Sequence, residues 1–230
     1  MNEIMMNSAS AGVAVSLIAY GTGVYLKKKT KSPVCNPLLI AILLVIGFLL
    51  ICRVDYASYE KGASYLSYLL TPATVSLAIP LYQQMDTLKK NAAAILLAIL
   101  SGVLTSLSSV LALAFLFGLS HEEYVTLLPK SITTAIGMGV SEELGGYVTI
   151  SVAVIIVTGV LGNIIGDLIF RIFRIRERVS RGLALGTASH AIGTAKAMEL
   201  GEVEGAMSSL SIVVSGLLTV IGASVFAMFL

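Results

Sequence analysis

Long apolar runs alternate along this chain with short charged punctuation. Residues 4–26, 32–52, 62–85, 91–120, 144–166 and 205–230 contain no Asp, Glu, Lys or Arg. A bilayer core takes about 20 apolar residues per helix, and a central Lys, Arg or Asp costs roughly 2.5–3.5 kcal/mol. The pattern therefore predicts six spanning helices. Two further stretches, residues 124–146 and 182–200, are apolar enough for membrane depth but carry Lys130, His190 and Lys196. The fold class expected is all-α, a polytopic membrane protein of about 7–8 membrane segments.

Composition narrows the classes. Hydrophobic residues make up 57% of the chain and charged ones 12%, too little polar surface to coat a soluble domain and too much apolar surface to remain disordered. The net charge of +2 comes from basic residues in short runs between spans, so no nucleic acid is expected as a partner. Cys35 and Cys52 flank one span and read as two inert thiols, with no metal expected. No HExxH, P-loop or CxxC occurs, and Ser189 and His190 point about 100° apart on a helix. Neither an enzyme nor a cofactor is expected. The first apolar stretch follows an acidic start rather than a basic one and reads as a retained helix.

The heaviest basic runs, residues 27–31 and 171–181, should both face the cytoplasm. That orientation requires residues 129–146 to enter and leave on the outer side as a re-entrant segment; a full crossing would place the arginine run outside. Sliding the chain lays residues 72–85 over 131–144 and residues 101–106 over 158–163, which predicts an internal, inverted repeat. The expected organisation is one integral membrane domain, 1–230, with scaffold helices 1–64, a first repeat 65–117, a second repeat 122–170 and C-terminal motif helices 182–230. Both copies contain helix breakers, Pro72 and Pro80 in one, Pro129, Gly137 and Gly139 in the other. Freed backbone cannot face lipid but can line a solvated cavity, and paired interrupted helices point to a transporter's central site.

Two polar constellations follow. Lys130, Ser131, Thr133 and Thr134 cluster beside breakers, where a half-helix N-terminus favours a carboxylate; Lys130 reads either as part of that site or as an interfacial Lys reaching head groups. In residues 186–209, a continuous helix would place Thr187, His190, Ala191 and Thr194 on one face. His190 reads either as a group for proton coupling or substrate contact or as a neutral imidazole in a packed bundle. Lys196 and Glu199 are coupling candidates or a plain interfacial ion pair, and Asn163 joins them as a gating candidate.

The runs RGLALGTASHAIGTAKAMELGEVEGAMSSL (181–210), LLPKSITTAIGMGVSEELGG (127–146), TPATVSLAIPLY (71–82) and NPLL (36–39) closely resemble the LrgB/CidB family of bacterial membrane proteins. Plastid glycolate/glycerate translocators carry a similar module. The resemblance implies an antiholin-like or holin-like protein affecting murein hydrolase export and cell lysis, or a carrier of pyruvate and related small acids. It also implies a small LrgA/CidA-like membrane partner and a fold akin to bile-acid symporters. One departure is Ala135, where the family commonly has Pro; it would displace the break toward Gly137 and Gly139.

The leading expectation is a secondary carrier of small monocarboxylates (pyruvate, glycolate, glycerate type), with protons as the candidate coupling ion, in a bacterial inner membrane, multi-pass and homodimeric. Thr74, Lys130, Ser131, Thr133, Thr134, Ser189, His190 and Thr194 would bind the carboxylate. The alternative is a holin/antiholin-like protein regulating lysis.

Overall fold

A computed structural model describes residue 8 and residues 10–30 and 35–230. The expected spans 4–26 and 32–52 thus begin outside the described residues. Every described element is helical, and two compact units divide at Ser76 and Leu77.

The first unit holds α1 (Ala11–Thr30), α2 (Pro37–Cys52), α3 (Tyr56–Ala63), a 3-10 turn (Ser64–Leu69) and α4 (Leu70–Ser76). Asn36 caps α2, its side chain accepting from Leu38 N at 2.8 Å and Leu39 N at 3.2 Å, with Pro37 at the first position, where a missing N–H costs nothing. The Ser16 hydroxyl meets Tyr59 Oη at 2.7 Å and ties α1 to α3.

The second unit holds α5 (Ala78–Gln83), α6 (Met85–Phe117), α7 (His121–Leu127), α8 (Thr134–Glu143), α9 (Val148–Ile172), α10 (Arg178–Leu200), α11 (Glu202–Phe226) and a closing 3-10 turn (Ala227–Phe229). Ile95, Ile99, Val103 and Leu107 form one buried stripe of α6 at i, i+4 spacing, packed with Tyr124, Leu128, Ile132, Met207 and Ala223. Asn91 leaves helical geometry and kinks α6 where its charged first turns give way to the apolar run.

By length and composition, four helical stretches can cross a membrane: Tyr56–Gln83, Met85–Phe117, Val148–Ile172 and Glu202–Phe229, beside the shorter apolar Pro37–Cys52. Among the described residues, length and composition confirm these five stretches and leave the expected seven or eight segments unconfirmed. The two polar stretches fold back on themselves. In the first, α7 leads to a turn at 128–133 and α8 returns, so that Gly137 packs on Pro129, while Thr126 O and Ser141 Oγ both meet Ser151 Oγ, at 2.8 and 2.7 Å. In the second, α10 reverses at Ser189 (φ −137°, ψ 18°) and His190 (φ 42°, ψ −137°), which brings Gly193 against the Leu185 carbonyl. In a straight helix those two residues would lie about 12 Å apart.

The hairpins enter from opposite ends. Along α9, Ser151 and Ile155 meet the first hairpin, Ile155 to Gly162 meet the Ser189–His190 tip, and Asp167 meets Lys196 near the second hairpin's foot. Along α11 the order reverses: Gly182 packs by Glu204, Gly186 by Ser208, Ile136 by Gly216, and Tyr124 Oη donates to the Phe226 carbonyl. The returning arms share residues at constant spacing: Ala135, Ile136 and Gly137 match Ala191, Ile192 and Gly193, and Glu143, Leu144 and Gly145 match Glu199, Leu200 and Gly201.

Candidate functional site at the hairpin tips

The α6 face that carries Ala98, Gly102, Thr105, Ser106 and Ser109 turns toward both hairpins. There it walls a cavity of about 500 Å³, closed by Lys130 and Ser131 from the first tip and by Thr187 and its neighbours from the first arm of α10. Gly102 makes this approach tight: a Cβ at that position would lie 2.8 Å from Thr187 Cγ2. Hydroxyls at three- and four-residue spacing in a Leu-rich helix give the wall its polarity.

Lys130 Nζ donates to Ser106 Oγ and Ser131 Oγ, both at 3.0 Å, and the two hydroxyls lie 3.2 Å apart. An ammonium has three donors, so one N–H remains, and no described carboxylate pairs with the charge. Thr187 Oγ1 is buried with no partner among the described residues. A buried hydroxyl left unsatisfied costs about 1–3 kcal/mol. A cation unpaired among the described residues on a cavity walled by hydroxyl-bearing residues, with an unsatisfied hydroxyl buried just behind that wall, suits an anion with a second polar group.

The other expected residues are placed differently. Thr133 and Thr134 open α8, half-buried, and do not line the cavity. His190 Nε2 donates to the Ile155 carbonyl at 3.0 Å, and Thr194 Oγ1 donates to the His190 carbonyl at 3.0 Å and meets Ser208 Oγ at 2.8 Å. Ser189 is buried and packs against Gly162. These three fasten the second tip to α9 and α11. Asn163 Nδ2 donates to the Ile192 carbonyl at 3.0 Å, just past the reversal. Lys196 Nζ contacts Asp167 Oδ2 at 2.8 Å and reaches Glu199 at 4.0 Å. Thr74 lies in α4 of the first unit, its side chain outside the described residues.

Several sequence expectations are corrected. The face shared by Thr187, His190 and Thr194 does not form, because the chain reverses between them: Thr187 lines the cavity, whereas Thr194 joins α11. Gly137 and Gly139 lie inside the continuous helix α8 and break nothing. The interruption is at 128–133, and Gly137 instead gives room to Ile155 and Pro129. Pro72 and Pro80 each stand third in a short helix, where the missing N–H leaves no intrahelical bond unmade. Sequence reasoning missed Ser106 and Asp167, and named Thr187 only as part of the face that does not form. The hydroxyl stripe from Ser101 to Ser109 was the available signal for the first.

Apolar crossing-length helices wrapped around a polar centre define a helical membrane protein. The chain belongs to the LrgB-like family, whose model matches residues 16–229. It is similar to the holin-like protein CidB of Staphylococcus epidermidis, 39% identical over 219 residues and 95% of each chain. It also resembles the antiholin-like protein LrgB of Bacillus subtilis, 40% identical over 216 residues and 94% of each chain, and that of Bacillus cereus, 40% identical over 220 residues, 95% of this chain and 96% of that one. No solved structure matches the chain.

Proposed function

We propose that the chain is a secondary carrier of small monocarboxylates of the pyruvate, glycolate and glycerate type, and not an enzyme. The supporting observation is the Lys130 ammonium, unpaired among the described residues, on a cavity that Thr187 also lines, where two oppositely inserted hairpins meet. Lys130 takes the carboxylate, Ser106 and Ser131 hold the ammonium in place, and Thr187 offers its hydroxyl to the substrate's second oxygen. The two hairpin-and-helix segments, 121–172 and 178–226, then serve as inverted copies, with Ser131 and Thr187 at matching positions. Movement of one hairpin against the rest exposes the cavity to each side in turn. His190, held by Ile155, and the Lys196–Asp167 pair are the groups through which proton coupling would act. In this reading the protein is multi-pass in the bacterial inner membrane, homodimeric, and works with an LrgA/CidA-like membrane partner.

The names of the relatives favour a second reading, a holin-like or antiholin-like protein that controls lysis through assembly. Proteoliposomes separate the two. The carrier gives saturable monocarboxylate uptake whose KM Lys130→Met raises roughly tenfold to hundredfold, with the purified chain alone or with its partner. Unsaturable leakage of dyes and ions, indifferent to Lys130, would establish the lysis reading instead.

A further inference from the structure

The last turn of α9 and the foot of the second hairpin enclose a second cavity of about 470 Å³. Four guanidinium groups line it, from Arg171, Arg174, Arg176 and Arg181, against the single carboxylate of Asp167, which Lys196 already matches at 2.8 Å. Arg181 is fixed in place: its Nε donates to the Ile175 carbonyl at 2.9 Å and its guanidinium lies 5.7 Å from the Phe170 ring centre. The other three arginines are exposed and form no ion pair among the described residues.

Guanidinium forks match paired phosphate oxygens, each charge-assisted bond being stronger than a neutral one. A free phosphate needs only that rim. Here the rim is joined by an apolar wall within the same cavity, from Phe170, Ile175 and Leu200. Cationic edge and apolar flank together fit a molecule with an anionic head and hydrocarbon tails.

We infer that this cavity binds the phosphate-bearing headgroup of an anionic phospholipid, whose acyl chains leave past the apolar side of the cavity at Phe170, Ile175 and Leu200. The headgroup joins the end of α9 to the foot of the second hairpin, since Arg181 stands on its outgoing arm and Leu200 ends its returning one. The site does not depend on the carrier reading, because lipid retention is read without transport.

Native mass spectrometry of the purified full chain in zwitterionic detergent tests it. The chain is titrated with phosphatidylglycerol, with phosphatidylcholine of the same acyl length, and with excess inorganic phosphate as competitor. Phosphatidylglycerol should be retained in preference, phosphate should not displace it, and Arg174→Gln/Arg176→Gln should weaken retention roughly tenfold or more. Lys89→Gln/Lys90→Gln, an exposed basic pair elsewhere in the same unit, should leave it unchanged. A melt in lipid-free detergent checks folding, and Arg171→Gln/Arg174→Gln repeats the test if the first pair does not fold. Equal retention of both lipids, displacement by phosphate, or equal losses in the arginine and lysine variants would overturn the site.

Discussion

At the scale of single residues, Lys130 and Thr187 are unfinished in complementary ways. The ammonium is oriented by two hydroxyls and faces no carboxylate among the described residues; the hydroxyl is buried and faces nothing. Thr187→Val keeps the shape and removes the unsatisfied group, which costs about 1–3 kcal/mol. The ligand-free protein should melt higher, by roughly 2–4 °C per kcal/mol recovered at this chain length, while substrate affinity falls. A lower melting temperature would show that Thr187 is partnered after all. For Lys130→Met, loss of a charge-assisted bond worth about 1.5–3 kcal/mol should raise the KM for uptake roughly tenfold to hundredfold in proteoliposomes. Lys130→Arg should not restore it, because a planar fork does not reproduce a point charge at the convergence of Ser106 and Ser131. An unchanged KM in both variants sinks the role of this cation.

At the scale of elements, the polarity of the two hairpins was legible in the sequence, and so was the break at Pro129, but the break at Ser189–His190 was not. Lys130 and His190 marked both tips because ionisable residues at membrane depth are costly and so stand out. The reversal at Ser189–His190, however, is carried by neither Pro nor Gly: a non-glycine residue at φ 42° is held by the Ile155 carbonyl and by the room Gly162 leaves for Ser189. Breakers mislead here because Pro72 and Pro80 sit in first turns, and helical glycines such as Gly137 and Gly193 serve close packing. Two substitutions distinguish these uses. Gly193→Ala drives a methyl into the Leu185 carbonyl and should lose most folded protein, read by size-exclusion chromatography in detergent. Gly139→Ala meets open space and should stabilise by about 0.5–1 kcal/mol through the backbone entropy it removes from the unfolded chain. Equal behaviour of the two would mean that the second hairpin does not fold back as described.

At the scale of the whole molecule, the apolar spacing made the membrane class plain, since crossing-length helices recur between short charged runs. Orientation is a separate question, decided by where those charges fall. If the arginine run at 171–181 faces the cytoplasm, α9 carries the chain inward from the turn at Gly145, and the hairpin that starts at His121 must open outward. The foot of the second hairpin then lies inside with the arginines. Single cysteines at His121→Cys and Ser180→Cys, in a Cys35→Ser/Cys52→Ser background, occupy exposed positions at the two feet. On intact cells an impermeant maleimide should label the first and should reach the second only after permeabilisation. Labelling of both from one side would mean that α9 does not cross the membrane, and with it the opposed insertion of the hairpins would fall. Labelling with the two sides exchanged would keep the opposed hairpins and reverse the protein, setting the chain against the rule that basic runs stay inside.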